Sequence, residues 1–355
     1  MYKCLYCGKD DREVTFTSQE HVFPAGIGGI FQLPKGTVCD NCNTRNFSDH
    51  ERDFMRNSII SLPRQFYGPG KRGSLNPNKA TSSLVHLMAH TDESEERSLG
   101  FIQIGKPFQI PQFRFLGIES VNLIIAPSHG DVDNQIEDFL KVMREFTSES
   151  KFVFLTDELI EKDEAYFGFW ENKYYLCSQT PSSISSVLEF LDNLRKRKFY
   201  ETTQREYKIA QVESRQKFGF NINSFERVSA KIAFNGLRYL TSLEYCLQPN
   251  FQEIRNYILY GGDCKFVTIE SESDHFRINE FFPMLSHRLL IFSAKEEGII
   301  AYLNFYSSFK LIIRMSTEYS SENFFNGIIC DWRNRQDMIY ADYLGKIGKI
   351  FNPTI

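Results

Sequence analysis

The sequence has no dominant charge. Its 41 Lys and Arg against 45 Asp and Glu leave a formal net charge of −4, so no whole-molecule field draws the chain onto nucleic acid. Contact of that kind must rest on local basic surface. No apolar run reaches the length of a membrane-spanning helix, and the opening MYKCLYCGKDD carries no hydrophobic stretch of signal-peptide length. Internal repeats and long low-complexity tracts are absent as well. A disulfide framework is not expected either. Of the eight cysteines, four are gathered into two Cys-x-x-Cys pairs, and Cys177, Cys246, Cys264 and Cys330 are scattered through apolar segments as plain core residues. Together these absences predict a cytoplasmic chain that works without a membrane.

What is present concentrates between Cys4 and Asn43. Cys4-x-x-Cys7 and Cys39-x-x-Cys42 are two thiolate pairs whose spacing suits one tetrahedral Zn²⁺. Gly8 permits the tight turn of the first knuckle. Between the pairs stand Glu20-His21, then Pro24 and Gly28-Gly29, and Asn43 follows the last cysteine directly. A histidine near its ordinary pKa can take a proton from water. A carboxylate and an amide oxygen are hard donors that suit Mg²⁺ or Mn²⁺. The bland readings are a surface acid beside a capping histidine, and an Asn that merely caps a helix.

These residues resemble the HNH nuclease family, the ββα-metal group, in its four-cysteine form. The resemblance covers roughly the first 75 residues and implies a strand, a Gly-rich turn, a strand and a helix. It further implies that His21 activates water while Glu20 and Asn43 hold a catalytic Mg²⁺ or Mn²⁺, and that Cys4, Cys7, Cys39 and Cys42 hold a structural Zn²⁺. The family's middle asparagine has no counterpart here. That stretch reads Leu33-Pro34-Lys35, so either Gln32 or a backbone group fills the place.

At 355 residues two domains are expected. The Gly- and Pro-rich stretch 63–77 places the boundary, giving a nuclease domain at 1–75 and a second domain at 76–355. The fold class is α+β: a small zinc-stapled ββα-metal unit followed by a larger mixed α+β domain whose fold the sequence does not name. A short strand is expected at Val14–Phe16, a buried strand at 121–126, helices at 134–146, 183–194, 225–247 and 251–260, and hairpin-spaced strands over 289–313. Asp49, His50, Glu51 and Asp53 read as a solvated helix face, as do Arg227, Lys231 and Arg238 opposite an apolar stripe. For phosphate contact the sequence offers Lys71 and Arg72, and the run Arg195, Lys196, Arg197 and Lys198.

The leading expectation is a metal-dependent endonuclease cutting DNA, with RNA as another possible substrate. It would be a restriction-like or anti-phage defence effector whose larger part binds target, a protein partner or a small-molecule activator. The alternative is a catalytically inactive zinc-ribbon module that binds nucleic acid or protein.

Overall fold

The computed structural model describes residues 2–90, 96–117, 120–126, 130–147, 149–180, 189, 192, 212–214, 221–270, 281–294, 297–316 and 324–351. The chain forms two compact units, one of Met1–Thr81 with Phe218–Ile355, the other of Ser82–Lys217. This grouping differs from a division after residue 75. The physical reason is shared burial: the N-terminal segment has too few apolar residues to enclose a core and borrows one from the chain beyond residue 218.

The N-terminal segment has little regular structure. Val14–Phe16, expected as a strand, is irregular chain. The two family strands shrink to a bridge between His21 and Gln32, flanked by Val22 N–H to Phe31 O at 2.9 Å and Leu33 N–H to Glu20 O at 2.7 Å. The chain then winds through a wide turn at Asn41–Phe47 into helix α1 (Ser48–Arg56), and a second helix, α2, covers Ser61–Tyr67.

The Ser82–Lys217 unit holds two sheets. One has the order β3 (Lys106–Gln109), β2 (Arg97–Gln103), β1 (His86–His90), β9 (Val212–Ser214). The other runs β5 (Ser120–Ile124), β4 (Gln112–Leu116), β7 (Glu164–Trp170), β8 (Lys173–Ser178), β6 (Phe152–Thr156). The β6–β8 pair is parallel, the chain returning between them through β7, and helix α3 (Val132–Glu145) carries the chain from the β5 edge to the β6 edge. Its Asp131 cap accepts from Asn134 N–H at 2.9 Å. Phe139, Met143 and Phe146 pack onto Phe115, Phe167, Tyr174 and Leu176. The run at Val121, expected to be fully buried, is an edge strand with only one neighbour and is half-exposed.

Past residue 221 the chain forms the long helix α4 (Ile222–Leu240), then α5 (Leu243–Cys246) and α6 (Gln252–Tyr260). Thr241 is extended, so the single helix expected through residue 247 breaks there. An antiparallel sheet follows in the order β10 (Val267–Ile269), β13 (Phe309–Arg314), β12 (Gly298–Phe305), β11 (His287–Ala294), β14 (Phe325–Asp331), β15 (Gln336–Ile339), and helix α7 (Tyr340–Phe351) closes the described chain. In register, Leu289 faces Leu303 and Leu303 faces Leu311, while Ile291 faces Ala301 and Ala301 faces Ile313. This row of alternate residues is one face of the sheet, buried against α4. Gly236 permits the approach, since a Cβ there would lie 2.1 Å from Leu289 Cδ2. The opposite side of α4 meets α1. The helix is therefore a middle layer, buried nearly all round. Among the described residues no helix is long and apolar enough to cross a membrane.

Candidate functional site

The four knuckle thiols meet at one point, with all sulfurs within 4.8 Å of one another. Cys4 Sγ lies 3.8 Å from Cys42 Sγ, and Cys7 Sγ lies 3.7 Å from Cys39 Sγ. The Cys39 N–H points at Cys4 Sγ from 3.5 Å. The contact with Cys42, helped by backbone amides, lowers the Cys4 thiol to about 5 despite its burial. Four convergent soft donors of this kind fit a structural Zn²⁺, closed to substrate and contributing folding energy. Among the described residues no other cluster of His, Cys, Asp or Glu has three or more members. Cys177, Cys246 and Cys330 are buried and free, and Cys264 is half-buried.

The second knuckle is also tied to the stretch ahead of Glu20. The Asp40 carboxylate accepts from Ser18 N–H at 2.9 Å, Ser18 Oγ at 2.7 Å, Thr17 N–H at 3.1 Å and Thr15 Oγ1 at 2.5 Å. Burial would raise this carboxyl, and the bonds from Ser18 and Thr15 outweigh it and hold it low. Asn43 donates from Nδ2 to Ser18 Oγ at 3.2 Å. Asn43 is thus held against the residue two places before Glu20, and its amide oxygen makes no hydrogen bond among the described residues.

His21 is half-buried. Its Nε2 lies 3.1 Å from the Gln32 amide nitrogen across the bridge, where paired residues share a face. Gln32 is thus the side chain set against the His21 ring. Burial lowers the His21 pKa, with Lys231 adding to the effect and Glu51 and Asp337 opposing it. The imidazole is neutral at pH 7, as a proton acceptor must be.

Glu20 turns inward and is only 5% exposed. Its Oε1 accepts from Lys231 Nζ at 2.5 Å and from Asn235 Nδ2 at 3.3 Å. Lys231, 1% exposed on α4, also donates to Glu51 Oε1 at 2.6 Å and lies 5.1 Å above the Phe47 ring. Burial works against the ammonium, and the two carboxylates overcome it and keep Lys231 charged. Two carboxylates share one ammonium, so Glu20, pushed up by burial, sits above the ordinary carboxyl range in spite of Lys231. Glu20 Oε2 makes no hydrogen bond among the described residues. A carboxylate oxygen and an amide oxygen are each donors of the kind a hard cation takes.

The chain beyond residue 280 supports the hairpin from behind. Asp337 Oδ2 accepts from Ile30 N–H at 2.8 Å and Phe31 N–H at 2.7 Å. The buried His287 lies with Nε2 3.1 Å from Ile27 O and accepts from Tyr306 N–H at Nδ1, 3.2 Å away. Phe31 stacks on Tyr239 at 4.7 Å.

Several expectations about surface residues are overturned. Lys231 and Arg227 are buried, and Arg227 bonds His50 Nε2 at 2.7 Å while His50 Nδ1 meets Ser224 Oγ at 2.8 Å. His50 is thus locked between α1 and α4 instead of solvated. Glu51 and Asp53 likewise face α4, through Lys231 and Ser224. Lys71 and Arg72 are exposed on a short turn. Arg195, Lys196, Arg197 and Lys198, and the helix expected at 183–194, lie outside the described residues apart from positions 189 and 192. Sequence reasoning missed Lys231, Asn235 and Asp337. Their only signal is polar character on elements far from the motif.

Residues 4–59 match the HNH endonuclease family. No match was found among curated proteins, and none among solved structures. The zinc-knuckled segment that carries Glu20, His21 and Asn43 is an HNH endonuclease-family unit.

Proposed function

We propose that the chain is a metal-dependent endonuclease that hydrolyses DNA phosphodiester bonds, with residues 4–59 carrying the chemistry. The observation that carries this reading is a half-exposed His21 next to Glu20, whose Oε2 makes no hydrogen bond among the described residues, with Asn43 tied to the same stretch through Ser18. A half-turn of the Gln32 amide exchanges its donor for its acceptor. With the Gln32 oxygen facing Nε2–H, the Nδ1 lone pair of His21 is the one left to take a proton from water. Glu20 and Asn43 would hold Mg²⁺ or Mn²⁺, which when bound supplies charge neutralisation at the phosphate and the departing oxygen. Cys4, Cys7, Cys39 and Cys42 would hold Zn²⁺, which fixes the knuckle that presents Asn43. Exposed Lys71 and Arg72 offer phosphate contact beside this unit.

A small hydrolytic unit that reads little sequence needs another part to aim it. The Ser82–Lys217 unit is suited to that role as a separate compact body, and a restriction-like or defence role follows from such a division of labour. The contrary reading, a zinc-ribbon binding module without cleavage, draws on the ammonium that already neutralises Glu20. Plasmid incubation with Mg²⁺ or Mn²⁺ decides between them. Wild type should nick, and His21→Ala should lose at least about a hundredfold in rate, the scale of a lost general base, while retaining zinc. Nicking unchanged by His21→Ala would remove the catalytic assignment, and no metal-dependent cleavage would favour the binding module.

A further inference from the structure

We propose that Lys231 and Asn235, on α4 and outside the family-matched segment, are positioning residues that fix Glu20 and His21 and set the charge seen by the catalytic metal. The inference rests on the nuclease reading above. Four residues apart, the two side chains lie on one helix face. Asn235 is fully engaged: Nδ2 donates to His21 O at 2.9 Å and to Glu20 Oε1 at 3.3 Å, and Oδ1 accepts from Tyr6 OH at 2.5 Å. One amide therefore joins the first knuckle to both members of the Glu20-His21 pair. Lys231 takes the same Glu20 oxygen and Glu51 besides.

Stability alone is a poor explanation for this arrangement. A buried ammonium between two carboxylates suffers a large desolvation cost, and apolar residues of similar volume commonly match or exceed such clusters in stability. What the cluster does achieve is directional. Both donors use Oε1, so Glu20 can turn only Oε2 toward a cation, and its carboxylate cannot rotate to chelate with both oxygens. Holding the His21 carbonyl likewise fixes where the imidazole starts. The ammonium also lies within a few ångströms of any cation bound at Oε2 and opposes it electrostatically. The metal is thereby held loosely, through few protein oxygens, and remains available to the phosphate.

The test separates metal binding from cleavage. Mn²⁺ is titrated into the zinc-loaded full-length protein without DNA, reading free Mn²⁺ by electron paramagnetic resonance, and cleavage is measured alongside. Lys231→Met should bind Mn²⁺ about tenfold more tightly, as removal of a neighbouring positive charge predicts. Its kcat should fall at least about tenfold, because small misplacements are costly, with KM for DNA little changed. Lys231→Arg should restore both readouts most of the way. Asn235→Leu, which keeps the ammonium, should lower kcat while leaving Mn²⁺ affinity near wild type.

Lys231→Met leaves two buried carboxylates without a counter-charge, so Lys231→Met/Glu51→Gln is the control that relieves the excess, with retained zinc as evidence of folding. A zinc-loaded double variant with wild-type kcat, or a zinc-loaded Lys231→Met with wild-type Mn²⁺ affinity, would overturn the proposal. If wild type binds Mn²⁺ but cleaves nothing, the nuclease reading fails, and the Mn²⁺ shift alone still decides whether Lys231 sets the charge.

Discussion

Lys231 marks the limit of what a helical pattern discloses. Its spacing with Arg227 and Arg238, opposite Val228, Ile232 and Leu237, is that of a helix with one wet side. The helix has no wet side over most of its length, since the sheet covers one face and α1 the other. A polar stripe reads the same whether it meets water or a second layer of protein. Cys4, Cys7, Cys39 and Cys42 were legible because thiolate spacing is local and rare, while Glu20 and His21 stood out by lying between the knuckles and Asn43 by following the last cysteine, their roles being proposals. Asp337 was illegible because its partners are backbone amides more than 300 positions away. His287 shows a titration consequence of the same burial. Its pKa is depressed from 6.5 to about 3, chiefly by burial. The unfolded chain therefore takes up a proton below 6.5 that the folded chain refuses. Stability from this group is complete above that value and declines as pH falls toward 3, by about 1.4 kcal/mol per pH unit. Denaturant midpoints between pH 7 and 4 should follow that slope, and His287→Gln should flatten it.

At the scale of elements, the Gly-rich turn after Pro24 is the part that most needs its sequence. Gly28 has φ +99°, and a Cβ there would lie 2.3 Å from Trp332 Cβ. Gly28→Ala should therefore destabilise by about 2 kcal/mol or more, through strain and through displacement of Trp332, and calorimetry would register it as a lowered Tm. The knuckles are a second such element. Cys39→Ser should release one equivalent of Zn²⁺ per chain by metal analysis, and should expose the amides of Val22 and Leu33 to faster hydrogen exchange, because Asp40 and Asn43 tie the knuckle to the hairpin. Helix α3 and the strands from β11 to β13 followed their apolar periodicity closely. Val14–Phe16 did not, because a short β-prone run forms a strand only when another strand lies alongside to pair with it.

For the whole molecule, the sequence placed a boundary where composition changes, at the Gly- and Pro-rich stretch. The structure's compact units follow burial instead. Phe54 of α1 stacks on Phe225 at 5.7 Å and meets Phe305 at 5.4 Å, so the HNH-family segment and the C-terminal sheet share one core. A fragment of residues 1–75 should bind zinc yet lack cooperative unfolding, because those aromatic partners are missing. A chain in which a short linker replaces residues 82–217 should fold with its zinc and its core intact, and amide exchange on the two proteins would test both outcomes.

The dispersal of the clamp has a consequence for biosynthesis. A ribosome that has released only the first two hundred residues has delivered every knuckle cysteine and His21, but not Lys231, Asn235 or Asp337. On the proposed roles, the nascent polypeptide and any prematurely terminated product are inert toward the genome of the cell that makes them. On those same roles, cutting power would arrive only once translation has passed the distant residues that hold His21 in place.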